Sequence, residues 1–127
     1  MSSKGRPYRT VDVDGYSILV GKSDDANDDL TFKVADKHDL WLHVAGCPGS
    51  HVVVRNPERL ADVPREVLEA AAGLAAWYSK ARGAPRVEVH YCRVSDVSKA
   101  KRAPAGQVQL KRFKKVKVQP QNIEGGD

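Results

Sequence analysis

Residues 38–55, "HDLWLHVAGCPGSHVVVR", bring three histidines, a cysteine, an aspartate, a serine and a tryptophan around a Pro-Gly turn. Three chemistries could use such a set. His43, Cys47 and His51 sit at four-residue intervals, and His90 or Cys92 could complete a tetrahedral metal site. Ser50 and His51 offer a nucleophile beside a base. Trp41 and His43, two apart in a strand, would share one face and present flat rings to unpaired bases.

The metal reading lacks the closely paired ligands of structural zinc sites. The catalytic reading lacks a nucleophile elbow and a phosphate-binding glycine loop. It also places Ser50 and His51 on opposite faces of a strand. An enzyme is the weaker reading, and it would rest on His43, His51 and Asp39. Recognition is the stronger one, with no cofactor and no metal expected. A core role for Trp41 stands beside it.

The charge points the same way. The chain has 127 residues and a net charge of +5, unevenly spread. Residues 1–62 carry ten acids and eight bases, whereas residues 63–127 carry six acids and thirteen bases. No acid lies between Val97 and Ile123, a stretch holding Lys99, Lys101, Arg102, Lys111, Arg112, Lys114, Lys115 and Lys117. A field of one sign attracts polyanions. The competing account is a solvated face kept for solubility, or a basic surface docking an acidic protein. The four aspartates Asp24, Asp25, Asp28 and Asp29 lack the glycine and final glutamate of a calcium loop, so capping and loop solvation explain them better.

The elements that would position these residues follow from local pattern. Tyr8–Val13 and Tyr16–Gly21 alternate around Asp14-Gly15, a hairpin signature. Leu30, Phe32 and Val34 alternate as a strand would, but the favoured reading is a short helix capped by Asn27 or Asp28 and burying Leu30 and Val34. Residues 39–45 and 51–55 read as strands. Pro64–Arg82 reads as one long helix, capped by Asp62 and stopped by Gly83, with Leu68, Ala71, Ala72, Ala75 and Tyr78 as its apolar stripe. Its alanines and Gly73 would allow close approach to a sheet. Residues 86–94, 106–110 and 115–119 read as further strands. The expected fold is α+β, a mostly antiparallel sheet packed against one long alanine-rich helix. The expected domain is 8–120, with flexible tails at 1–7 and 121–127. Cys47 and Cys92 are expected as free thiols. No signal segment or membrane-length apolar run is seen, so a cytoplasmic protein is expected.

Beyond pattern, the chain resembles a known family. Asn27-Asp28-Asp29-Leu30-Thr31, Asp39-Leu40-Trp41-Leu42-His43 and Pro48-Gly49-Ser50-His51-Val52 match motifs of the NFACT-R domain, the RNA-binding domain of the NFACT proteins. So do the helix ending Ser79-Lys80-Ala81-Arg82 and Val97-Ser98-Lys99 before Pro104-Ala105-Gly106. The resemblance runs from about Gly15 to Val118 and departs from the family's pattern at Ala105, where proline and glycine are otherwise adjacent. It implies recognition of structured RNA, tRNA or rRNA, in connection with the large ribosomal subunit and translation quality control. The chain reads as a standalone NFACT-R unit. Tailing of stalled nascent chains, a property of the larger family members, is not implied, because the Asp-Arg dipeptide tied to it is missing. The candidate RNA-binding residues are Trp41, His43, Ser50, His51, Lys80, Arg82, Lys99, Lys101, Arg102, Lys111, Arg112, Lys114 and Lys115. A protonated histidine among them would strengthen binding below about pH 6.5.

Overall fold

The computed structural model describes residues 7–122. Asp14 and Gly15 both take positive φ, 50° and 85°, the geometry a tight hairpin turn between right-twisted strands requires. They join β1 (Tyr8–Val13) to β2 (Tyr16–Gly21). Next comes α1 (Asp24–Asp29), continued by a wider π turn over Leu30–Val34. The strands β3 (Leu40–Val44) and β4 (Val52–Val54) form a second hairpin. The helix α2 spans Arg65–Trp77 and leads into β5 (Val87–Arg93). Two short strands, β6 (Val97–Ser98) and β7 (Gln109–Leu110), pair with each other, and β8 (Lys114–Val118) ends the sheet.

The main sheet has six strands in the order β1-β2-β4-β3-β5-β8. Every pairing is antiparallel. Side-chain alternation gives it two faces. Ile18, Val20, Leu42, Val44, Val52, Val54, Val87 and Val89 pack on α2, whose Val67, Ala71, Ala72, Leu74, Ala75 and Ala76 are buried. On the other face, Leu19, Trp41, Val53 and Cys92 pack under Leu30 and Val97, from the α1 region and the β6–β7 ribbon.

The α+β class and antiparallel sheet stand, with corrections to the helices. Among the described residues there are two α-helices, and the longer has 13 residues and ends at Trp77 rather than Arg82. It stops early because Tyr78, Ser79 and Lys80 turn to pair with the loop before β4. Ser50 N–H donates to the Tyr78 carbonyl, Lys80 N–H donates to that of Pro48, and Gly49 bridges Ser79. Pro64, not Asp62, precedes the first turn and offers no side-chain cap. Gly73 faces not the sheet but the C-terminal segment, and its carbonyl accepts from Gln121 N–H. Ser23 caps α1 through its hydroxyl, because Asn27 and Asp28 are engaged elsewhere. Of the expected tails, residues 1–6 and 123–127 lie outside the described residues. Cys92 is buried, and burial pushes its thiol up to about 12, so it stays protonated at neutral pH. Among the described residues, no helix is long and apolar enough to cross a membrane.

Candidate nucleic-acid interface

A buried polar chain runs beneath the surface. Trp41 Nε1 donates to Thr31 Oγ1 at 3.2 Å, and Thr31 Oγ1 lies 2.9 Å from His51 Nδ1. His51 Nε2 lies 3.0 Å from the Gly106 carbonyl. A carbonyl only accepts, so the ring proton is on Nε2 and Nδ1 accepts from the Thr31 hydroxyl. Every polar atom in the chain is thereby satisfied with His51 neutral. Burial, the main cause, together with the neighbouring His43, pulls the His51 pKa down to about 4.

The same region holds down the loop between β6 and β7. Asp28 Oδ1 accepts from Gly106 N–H at 3.0 Å, and its other oxygen lies 3.0 Å from Lys99 Nζ. Lys99 also donates to the carbonyls of Pro104 and Gln107. Gly106 has φ +84°, and a Cβ there would stand 2.9 Å from the Asp24 carboxylate. Only glycine fits both demands without strain. Asn27 completes the latch by accepting from His51 N–H.

Several candidate residues are therefore anchors rather than contact surface. Trp41 and His51 are 2% and 1% exposed, so neither ring face is open to a stacking base. They shape the surface from below. Lys99 is neutralised by Asp28 and is correspondingly a poor phosphate contact. The metal set does not converge. Cys47 packs toward the α2 side, whereas His43 and His51 lie on the other, and both His51 ring nitrogens are already bonded. Ser50 is half-buried and ties two loops through its backbone.

His43 is the candidate ring nearest solvent. It is half-buried, stacked on Trp41 with centroids 5.9 Å apart and set edge-on to His51 at 5.5 Å. Burial lowers its pKa, and His90 adds to the lowering, so it is a neutral donor or acceptor near pH 7. The proton switch expected near pH 6.5 is moved lower.

Beside His43 the sheet opens. His43 pairs with His90 across β3–β5, and His90 pairs with Lys115 across β5–β8. Directly opposed residues share a face, so Lys115 stands in this row, and Lys117, opposite Glu88, projects from the same face. Phe113 stacks on His90 with centroids 4.3 Å apart and is 43% exposed. His90 donates to Glu88 at 2.9 Å, and this hydrogen bond, with the nearby lysines, holds the Glu88 carboxyl below its ordinary range. This side thus offers flat rings flanked by ammonium groups, the components of a single-strand stacking platform.

His90, Phe113 and Lys117 are not among the RNA-binding candidates read from the sequence, where His90 stands only as a possible metal ligand and Lys117 only as part of the basic stretch. The interleaving of Phe113 with Arg112 and Lys114 was the available signal. The other bases are dispersed. Lys101 and Arg102 are exposed on the latched loop, Arg102 at φ 66°. Lys111 is exposed, and Arg112 lies 3.6 Å from Asp96. Lys114 projects on the α2 side, opposite to Lys115. Lys80 and Arg82 line a shallow groove with Ser50, and the Arg82 guanidinium lies over Trp77 at 4.8 Å.

Comparison with known proteins matches residues 6–112 to the family described as the NFACT protein RNA binding domain. The chain belongs to the NFACT-R family. It is 37% identical over 108 residues to the Rqc2 homolog RqcH of Bacillus subtilis, covering 81% of this chain and 18% of that protein. It is 40% identical over 116 residues to the Rqc2 homolog RqcH of Streptococcus suis, covering 91% of this chain and 20% of that one. The chain thus spans about one fifth of the curated relatives it matches. A solved structure of the C-terminal part of the fibronectin/fibrinogen-binding protein from Streptococcus suis superposes with a TM-score of 0.84 at 38% identity, covering 94% of this chain and 47% of that one. Within this NFACT-R domain, the three matched motifs meet in one place. Asn27, Asp28 and Thr31 bind His51, the basic loop and Trp41.

Proposed function

We propose that this chain recognises RNA without chemical turnover, using the open half of the sheet face and the basic loop beside it. The observation that carries the reading is the continuous row of His43, His90 stacked with Phe113, and Lys115. Rings stack on bases and lysines hold phosphates, whereas the polar groups behind the row are satisfied internally. Membership of the NFACT-R family supports RNA as the polyanion. Lys80, Arg82, Lys101, Arg102, Lys111, Arg112 and Lys114 extend the field as phosphate contacts around this centre. The recognising unit spans about residues 8–120.

We take the RNA to be tRNA or rRNA, on the large ribosomal subunit in the cytoplasm, in translation quality control; the family match supports this reading as far as RNA. The exposed Phe113 ring, beside the half-buried His43 and His90, favours unpaired nucleotides, in loops or at ends, over continuous duplex, whose bases are already stacked. The test is a titration of the protein with deacylated tRNA, with a large-subunit rRNA fragment and with duplex RNA of equal length. Tighter binding to the first two, sensitive to Phe113→Ala, is expected. Equal binding to the duplex, unchanged by that substitution, would remove the stacking surface from the mechanism.

A further inference from the structure

A cavity of about 460 Å³ lies where β8 begins late beside β5. The pairing of β5 with β8 starts at Tyr91 opposite Lys114, leaving Cys92 and Arg93 to run on past it. The segment 111–113 passes on one side, and residues 60–65 with the start of α2 close the other. The volume is within the roughly 300–1,000 Å³ range of small-ligand sites.

Its wall is mostly apolar, with Leu40, Leu68 and the Tyr91 ring. The polar groups at the back are already paired. The Arg93 guanidinium donates to the carbonyls of His38, Leu60 and Ala61, and the Asn56 amide donates to those of His38 and Leu60. Two of the three large apolar side chains exposed among the described residues, Leu60 at 37% and Phe113 at 43%, stand at this cavity. The cavity is also lined by the exposed cations Arg65, Arg112 and Lys114 and by the acids Asp62 and Asp96, the latter 3.6 Å from Arg112. An apolar slot with satisfied polar walls, and with the cations around it outnumbering the acids, suits a flat, weakly polar group that carries an anion.

Phe113 links this slot to the surface already described, since the residue whose ring stacks on His90 is also among those lining the cavity, at the edge where the two faces of the sheet meet. A strand crossing the platform would present its next nucleotide there. We infer that the cavity takes one unpaired base of a bound RNA, against Tyr91 and Phe113, with the adjoining phosphate at Arg112 and Lys114. The inference rests on the RNA-binding reading and adds a pocket to it. Because the wall offers few free hydrogen-bonding groups, the slot selects an extruded base by shape and stacking, and discriminates weakly among sequences.

The probe is a nucleoside monophosphate, AMP or UMP, added at millimolar concentration to isotope-labelled protein. The amides of Leu40, Tyr91, Phe113 and Lys114 are expected to shift together. Ala61→Trp, at an exposed position lining the cavity, should abolish those shifts. It should also weaken a short oligouridylate about fivefold or more, the scale of one lost stacked base. If the protein binds the oligonucleotide but neither monophosphate moves these amides, the pocket assignment is wrong and the RNA reading stands. If the monophosphate shifts these amides and no RNA binds, the RNA reading falls and the inference, which needs a bound RNA, falls with it. Shifts from a leucine-rich peptide but not from either monophosphate would overturn the inference in favour of a protein partner.

Discussion

The Nε2–H of His51 donates to the carbonyl of Gly106 across 3.0 Å of space and fifty-five residues of chain. That bond fixes the tautomer and locates the basic loop at the same time. Burial of the same ring, against the pull of this bond, makes the domain sensitive to acid.

The folded-state pKa of His51, about 4, lies below the ordinary value of 6.5. Between those values the unfolded chain binds a proton that the folded one refuses, so stability falls as pH falls. The stability is fully present above about pH 6.5 and is lost progressively down to about pH 4, by roughly 3 kcal/mol in total. The lowered His43 pKa acts in the same direction. Urea unfolding across this range, with NMR titration of the His51 ring, measures it. A His51 titrating near 6.5 in the folded protein would contradict the buried hydrogen-bond chain.

Thr31→Val keeps the shape of the side chain and removes the hydroxyl that joins Trp41 to His51. Two buried polar atoms lose their partner, and a cost of about 1–3 kcal/mol is expected. Chemical denaturation reads it. A neutral outcome would mean that a water replaces the hydroxyl.

Trp41 and Phe113 should separate cleanly. Trp41→Ala removes a buried ring and should cost about 3–5 kcal/mol of stability. Phe113→Ala should leave the melting temperature nearly unchanged and weaken RNA binding by about 1–3 kcal/mol. Melting and titration of both variants decide the matter, and the reverse pattern would exchange their roles.

Lysines should divide in the same way. Replacing Lys101, Arg102, Lys115 and Lys117 by alanine should flatten the salt dependence of RNA binding by up to about four phosphate contacts. Lys99→Ala should instead destabilise the loop, because Lys99 bonds Asp28, Pro104 and Gln107. Its effect is expected in hydrogen exchange at Gly106 N–H, with little change in the salt slope. A full unit of slope lost with Lys99 would return it to the contact surface.

The sequence showed what depends on neighbours in the chain. Asp14-Gly15 specifies its hairpin locally, and the period of two put Trp41 and His43 on one side of β3. Which side would be covered could not be read there, because the cover comes from Leu30 and Val97, on distant segments. Lys99 looked like free charge because its partner Asp28 is seventy-one residues away. Asn27 and Asp28 looked like caps because their type suits caps. Their actual partners, His51 and Gly106, are contacts of tertiary structure. The end of α2 was misplaced for the same reason, since Tyr78–Lys80 pairs with a loop thirty residues earlier in the chain.

The latch at Gly106 bears on how this surface could be transplanted. The segment from Lys99 to Gln107 carries the charge, but its conformation is written in Asn27, Asp28, Thr31 and His51. Moved alone onto another scaffold, it would keep its lysines and lose its shape. A working graft must carry the acidic helix along with the basic loop, although the helix itself would repel the RNA the loop is meant to hold.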